Sequence, residues 1–254
     1  MFNIIFCEWL KLKHSKVMRI LILGSMICPI LALSGSFFRN IAFDNERSFD
    51  LFTLYDSAIM FLMLLFGPMV LAIVAISLIT REYNEQTWKT IFVVPVSRIR
   101  VLIGKFLILF LLVILFMVFS WAETFILAVL CSFLFEVSDI TWMSGLFFFI
   151  QMIKGGILLY PVITPFLYLA LRTKGGLVPF SMLAGIILVN VVLSNTSFAK
   201  IDPWLLPYHL LYLSRYEKIN QGNDFLFIGI GITGILFIGS FLGSILRIYR
   251  EDIY

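Results

Sequence analysis

The stretch REYNEQTWKTIFVVPVSRIRVLIGK, residues 81–105, is the long polar loop between two early hydrophobic runs. Its features in chain order are two acids, a Thr-Trp pair, a Pro-Val-Ser-Arg segment and a Gly-Lys pair: Glu82, Glu85, Thr87, Trp88, Pro95, Arg98, Gly104 and Lys105. A connection that only joins two helices needs neither this length nor this pattern. We therefore expect the loop to contact a cytosolic partner.

The composition is that of a membrane protein. Of the 254 residues, 61% are hydrophobic and 13% charged, and the mean hydropathy is +1.03. Soluble domains are about half apolar and about a quarter charged, so we predict one transmembrane domain over residues 1–254. The net charge of +4 comes from scattered basic residues, which indicates no nucleic-acid partner. The three cysteines have no metal-ligand spacing, so no metal site is expected.

Six hydrophobic runs are long enough to cross a membrane, which takes about 20 mostly apolar residues. They cover residues 17–38, 58–79, 102–134, 144–171, 177–196 and 225–245. The predicted fold class is therefore an all-α polytopic membrane protein with six transmembrane helices. The third run would be about 48 Å long as one helix, so we expect that helix to end or bend near residues 121–123.

The distribution of basic residues predicts the orientation, because Lys and Arg are enriched on the cytoplasmic side. One alternating set of segments carries Lys11, Lys13, Lys16, Arg19, Arg81, Lys89, Arg98, Arg100, Arg172, Lys174, Arg247 and Arg250. The other set carries only Arg39, Arg47, Lys200, Arg215 and Lys218. Both termini are therefore predicted to be cytoplasmic.

Two segments outside the runs have membrane-surface character. Residues 1–16 are basic and carry apolar residues at helical spacing, which predicts an interfacial helix. The outer loop, residues 197–224, is apolar, aromatic and interrupted by prolines. It predicts an interfacial or re-entrant element with Trp204 and Tyr208 at headgroup depth. A loop that simply packs on the helix bundle is the alternative.

Two ionisable residues, Glu123 and Lys154, lie inside the third and fourth runs. Charges within a membrane are costly and tend to pair or to mark functional sites. Both residues lie toward the outer leaflet, so a Glu123–Lys154 pair is expected. A substrate-facing role and the absence of any contact remain alternatives.

No catalytic motif is present. The two histidines, His14 and His209, belong to no metal-binding pattern. The Gly104-Lys105 pair is not a phosphate-binding loop, because Ile99 stands at the required glycine position and Phe106 follows the lysine. We therefore expect no enzyme and no cofactor in this chain; any ATP and Mg²⁺ would be bound by another polypeptide.

The loop pattern and the order of elements resemble the permeases of type-2 ABC exporters, and the resemblance covers essentially the whole chain. Within that family, the opening EWLKLKHSK (residues 8–16) resembles small permeases of lantibiotic-immunity and bacitracin-type exporters of Gram-positive bacteria. The resemblance implies a cytosolic coupling helix within residues 80–101. It also implies a role in ATPase coupling for Glu82, Glu85, Thr87, Trp88, Pro95 and Arg98.

The resemblance implies a permease of the bacterial plasma membrane that contacts membrane lipid. Its implied partners are a second permease chain, identical or homologous, and a dimer of ABC ATPase subunits. Its expected substrate is an amphipathic or antimicrobial peptide, exported for self-immunity, resistance or toxin release. Two alternatives remain: export of another amphiphile, such as a drug or a lipid-linked precursor, and an ion-coupled secondary carrier.

Overall fold

The computed structural model describes residues 2–13, 15–42, 48–84, 98–132, 136–138, 142–194, 196, 199, 201–216 and 224–250. The helices in chain order are α1 (Phe2–Lys13), α2 (Lys16–Ala42), α3 (Leu51–Phe61), α4 (Gly67–Asn84), α5 (Arg98–Ser132), α6 (Trp142–Thr173), α7 (Leu177–Leu193), α8 (Leu206–Tyr216) and α9 (Asp224–Arg250). One π-helical turn, Leu62–Phe66, joins α3 to α4.

Hydrophobic runs determine which helices can cross a membrane. Among the described residues, five helical stretches are long and apolar enough: Lys16–Ser36, Phe52–Asn84, Ile99–Ser132, Met143–Thr173 and Leu226–Tyr249. The predicted helical membrane fold is confirmed at this level. The fifth predicted run is the shorter apolar helix α7. Its 17 residues span about 26 Å against a hydrocarbon core of about 30 Å, so the count of six spans stays a prediction.

Helix α5 corrects one expectation. It runs unbroken from Arg98 to Ser132 and does not end near residues 121–123, while a bend there stays a prediction. After Gly104 the helix contains no glycine or proline, so the sequence offers no helix-breaking residue. At 35 residues its length is about 52 Å, well beyond the thickness of the hydrocarbon core.

The centre of the bundle is α6, which packs against α4, α5 and α9. Close packing at Gly155 of α6 brings three segments together. A side chain at this position would collide with Met63 of the π-helical turn, and it would lie 3.2 Å from Leu211 of α8. The absence of a side chain therefore lets the π-helical turn and α8 both reach the middle of α6.

A short parallel pairing connects two loops at the end of the bundle away from the residue 84–98 connection. Strand β1 (Ser48–Asp50) follows α2, and strand β2 (Glu136–Ser138) follows α5. Ser48 pairs with Glu136 and Asp50 with Ser138. The hydrophobic runs gave no indication of these two three-residue strands, which are the described exception to an all-helical fold.

Candidate coupling site

Four charged side chains meet where α1 crosses the end of α4 and the start of α5. We call Glu8, Lys11, Glu82 and Lys105 the four-charge cluster. The Lys105 ammonium lies 2.6 Å from Glu82 Oε1 and 3.4 Å from Glu8 Oε2. The Lys11 ammonium lies 2.8 Å from Glu8 Oε1 and 3.8 Å from Glu82 Oε1. Each cation thus contacts both carboxylates, and the formal charges sum to zero.

The secondary structure explains this arrangement. Glu8 and Lys11 are three residues apart in α1, so they lie on the same helical face. Glu82 is in the last turn of α4, and Lys105 is in the second turn of α5. The cluster therefore fastens α1 to both helices that flank the connecting residues 85–97.

Three of the four members are buried, and Lys11 is exposed at the edge of the cluster. Lys105 is 0% exposed, Glu82 5% and Glu8 6%. A buried charge is costly unless it is paired and hydrogen-bonded. Removing one of the three buried members would leave a partner charged in a site with little water, so we expect these charges to stabilise the structure only when paired.

Their mutual contacts also shift proton affinity. Burial alone raises the pKa of Glu8, but the Lys105 charge and the hydrogen bond from Lys11 outweigh it and hold the pKa below its ordinary value of 4.5. Burial lowers the pKa of Lys11, but its hydrogen bond to Glu8 and the charges of Glu8 and Glu82 raise it above 10.5. Both groups are therefore charged near neutral pH.

The coupling residues predicted from sequence divide into two groups. The side chain of Glu82 is buried against Lys105, and its coupling role stays a prediction. The predicted residues Glu85, Thr87, Trp88 and Pro95 lie outside the described residues, and Arg98 is described only as the first residue of α5. Their coupling role stays a prediction.

The expected Glu123–Lys154 pair is not formed in the described structure. The Glu123 carboxylate points toward α2, where its Oε1 lies 3.0 Å from the Ser25 hydroxyl. Ser25 Oγ is also 2.7 Å from the carbonyl oxygen of Ile22, so its single proton serves one acceptor at a time. Lys154 is exposed on α6. The hydroxyl of Ser25, 98 positions away from Glu123 in the chain, is the partner that sequence reasoning missed.

The outer element is a turn followed by α8. The Asp202 carboxylate accepts a hydrogen bond from the Trp204 backbone amide at 2.9 Å. Burial raises the pKa of Asp202 above its ordinary value of 3.8, although hydrogen bonds from the Trp204 and Leu205 backbone oppose that shift. Trp204 and Tyr208 are both partly buried against the core. The packing alternative therefore describes much of this element, while its depth in the membrane stays a prediction.

The apolar face of α1 borders a different surface. Phe6 and Trp9 line an apolar groove of about 740 Å³ along α5, with Ile108, Leu111 and Leu115 on its other side. Phe6 and Leu10 are both at least half exposed. Helix α1 therefore presents charges to the cluster and apolar side chains to the surroundings, as an interfacial helix would.

Sequence reasoning missed Glu8, Lys11 and Lys105 as site residues. One signal was available: Lys105 stands inside a hydrophobic run, three residues after Leu102. A lysine in such a position needs an acidic partner. However, the partners are 97 and 23 positions away in the chain, and no local pattern points to them.

The long apolar helices, with a charge cluster at the two helix ends that flank residues 85–97, are features of a multi-pass membrane protein. A family model described as "ABC-2 family transporter protein" matches residues 4–194, and the chain belongs to this family. It is 25% identical over 145 residues to the "Bacitracin transport permease protein BCRB" of Bacillus licheniformis, covering 57% of this chain and 68% of that relative.

These comparisons confirm the resemblance to type-2 ABC permeases related to bacitracin-type exporters. The chain is thus a membrane transport subunit, and membership of the family implies an ATPase partner. The family favours an ABC transporter over the ion-coupled carrier that the sequence had left open.

Proposed function

We propose that this chain is the permease subunit of an ATP-driven exporter that moves amphipathic or antimicrobial peptides out of the membrane or the cell. The observation that carries the substrate class is the similarity to a bacitracin transport permease over 145 residues. The proposed complex contains two permease chains and two ATPase chains, with both permease termini in the cytoplasm. Export of another amphiphile, such as a drug or a lipid-linked precursor, is an outcome that the substrate test separates.

The four-charge cluster supplies a mechanical route for coupling. Residues 85–97 connect α4 to α5; Glu82 lies three residues before this connection and Lys105 eight residues after it. Both are bonded to each other and to α1. A displacement of the connection by the ATPase would therefore move the ends of α4 and α5 together with α1, instead of bending one helix alone.

The individual roles follow from this route. Glu85, Thr87, Trp88, Pro95 and Arg98 form the proposed contact with the ATPase. Glu82 acts as a positioning residue, since its side chain is buried with Lys105. The two groups differ in their expected defects: loss of the first weakens ATPase binding, whereas loss of Glu82 weakens the structure of the helix ends.

The decisive experiment is reconstitution of the permease with its ATPase in proteoliposomes, followed by assays of ATP hydrolysis and of the transport of bacitracin. We expect bacitracin transport to require ATP and to stop with a hydrolysis-deficient ATPase. Arg98→Gln should lower coupled transport by about tenfold, the loss expected of one interface hot spot. The matched control is Arg100→Gln, an exposed cation two positions away, which should transport normally.

The outcomes separate the parts of this proposal. Transport of bacitracin without the ATPase contradicts the ATP-driven mechanism. An ATPase that is bound and active but stimulated only by a non-peptide amphiphile contradicts the peptide substrate. Equal defects in Arg98→Gln and Arg100→Gln contradict the assigned contact.

The outer element has a proposed role as a lid where the peptide leaves the path. The partial exposure of Trp204 and Tyr208 leaves both rings with surface available to an amphiphile. In the same assay, Trp204→Ser with Tyr208→Ser should impair bacitracin transport while assembly and basal ATP hydrolysis continue. Unchanged transport in a properly inserted double variant would leave the element with a packing role only.

A further inference from the structure

A basic cleft opens between the start of α2 and the last turns of α4, beside the four-charge cluster. Its volume is about 620 Å³, and its lining includes Ser15, Lys16, Arg19, Ile20, Arg81 and Asn84. Three of these residues are cations, and no acidic side chain lines the cleft in the described part of the chain. The nearby carboxylates of Glu8 and Glu82 already face Lys11 and Lys105. The cleft is therefore an electropositive site.

The polar groups of the cleft are mainly hydrogen-bond donors. Lys16 and Arg19 are exposed, and Arg81 uses Nη1 to donate to the Lys11 carbonyl oxygen at 3.2 Å, which fixes its guanidinium at the edge of the cleft. The N-terminus of α2 adds partial positive charge. Such a donor set matches an anion with several acceptor oxygens, which is the chemistry of a phosphate group.

Ser15 provides an independent indication of a ligand. It lines the cleft and is only 8% exposed, yet its hydroxyl has no hydrogen-bond partner among the described residues. A buried hydroxyl without a partner is costly. An acceptor oxygen of a bound group would satisfy it.

The surface that continues from the cleft indicates an amphiphile instead of a free ion. Ile20 lines the cleft and begins a row of exposed apolar residues along α2, with Leu23, Ile27 and Ile30 at spacings of three, four and three. This spacing places all four on one helical face. The volume of the cleft also falls in the range of about 300–1,000 Å³ that holds larger ligands.

We propose that this cleft binds the phosphate headgroup of an anionic phospholipid, whose acyl chain lies along Ile20, Leu23, Ile27 and Ile30. Lys16, Arg19 and Arg81 neutralise the phosphate, and Ser15 donates a hydrogen bond to it. Basic pockets between transmembrane helices at a membrane surface recognise anionic headgroups in this way. A bound lipid would contact the ends of α2 and α4 next to the four-charge cluster.

The test is a lipid titration of the purified, delipidated full chain in detergent, read by native mass spectrometry. The probes are phosphatidylglycerol and phosphatidylcholine with identical acyl chains, and inorganic phosphate serves as the competitor. We expect phosphatidylglycerol to bind at least about tenfold more tightly than phosphatidylcholine. Lys16→Gln with Arg19→Gln should abolish this preference, and Ser15→Ala should weaken phosphatidylglycerol binding severalfold.

The matched control is Arg100→Gln with Arg172→Gln, which removes two exposed cations outside the cleft and should keep the preference. Thermal unfolding of each variant checks that the chain remains folded, and Ser15→Ala, which removes no charge, tests the site if the double variant fails to fold. Equal binding of the two lipids, or equal losses in both double variants, would overturn the proposal. Displacement of the lipid by inorganic phosphate at equal concentration would show a free-phosphate site and also overturn it. The proposal would also be overturned if the Lys16→Gln, Arg19→Gln double variant bound both lipids normally and lost only its binding of the ATPase or of a second permease chain.

Discussion

At the scale of single residues, Lys105 is a buried charge whose stability depends on its acidic partners. Its ammonium is fully buried and bonded to two carboxylates. We expect Lys105→Met to lower the free energy of unfolding by about 3–5 kcal/mol, because two buried carboxylates would then lose the charge of Lys105. The measurement is thermal or denaturant unfolding of the purified chain in detergent.

A double-mutant cycle provides the control. Glu82→Gln combined with Lys105→Met restores charge balance, leaving Glu8 with Lys11, and should be more stable than Lys105→Met alone. Additive losses would show that Glu82 and Lys105 are not coupled in the folded protein.

The pH dependence of stability follows from the shifted groups. The pKa of Glu8 is lowered in the folded chain, so its contribution is present above the unfolded value and is lost as pH falls through the folded value. The pKa of Lys11 is raised, so its contribution is complete below its unfolded value and is lost as pH rises through the folded value. The stabilisation is thus complete between the ordinary values of 4.5 and 10.5.

We therefore expect the stability difference between the native chain and Glu8→Gln to be constant near neutral pH and to shrink below pH 4.5. The measurement is the thermal midpoint of both proteins as a function of pH. Arg172→Gln, an exposed charge at the end of α6, is the control and should show no such change. A difference between native and Glu8→Gln that persists unchanged at low pH would contradict the proposed charge pairing.

At the scale of elements, the π-helical turn between α3 and α4 depends on Gly67. Its backbone amide donates to the Leu62 carbonyl oxygen, and an added Cβ would collide with that same oxygen. Gly67→Ala should destabilise the chain by about 1–3 kcal/mol. In an open helical position the same change stabilises by up to about 1 kcal/mol.

Gly185 of α7 is the matched control, because a Cβ there meets nothing within 4 Å. Thermal unfolding in detergent should show opposite shifts for Gly67→Ala and Gly185→Ala. Stabilisation by both changes would mean that the π-helical turn relaxes to a regular helix without cost.

Some of these helices could be predicted from the sequence, and some of their contacts could not. The long helices follow from composition alone, since a run of apolar residues has few other solutions in a membrane. The unbroken α5 did not follow, because its length was compared with the thickness of a membrane, although a helix can extend beyond the hydrocarbon core. The four-charge cluster needed contacts between residues 8, 82 and 105, which only the packing of three helices brings together.

At the scale of the whole molecule, α7 leaves many of its apolar side chains exposed, and we expect the proposed second permease chain to contact it. Leu188 and Val192, one turn apart, are 70% and 73% exposed. We expect Leu188→Cys, in a chain with Cys7→Ser to remove the exposed native thiol, to form disulfide-linked permease dimers in membranes. The measurement is non-reducing electrophoresis after mild oxidation.

The control is Ile235→Cys on α9, which is 72% exposed and should remain monomeric under the same oxidation. Equal linkage at both positions would indicate random collision. Linkage at Ile235 alone would place the second chain against α9 instead of α7.

The pairing of β1 with β2 matters for how α2 and α5 move relative to each other. Strands β1 and β2 connect the loops that follow α2 and α5, and the Ser25–Glu123 contact connects the two helices along their length. Helix α1 packs on both helices. Its Glu8 contacts Lys105 near the start of α5. Because α2 and α5 are connected at several positions along their length, we expect them to tilt together as one rigid unit. A lever about 52 Å long that tilts by about 5° moves its far end by about 4–5 Å, enough to carry a small push on one side of a membrane across to the other.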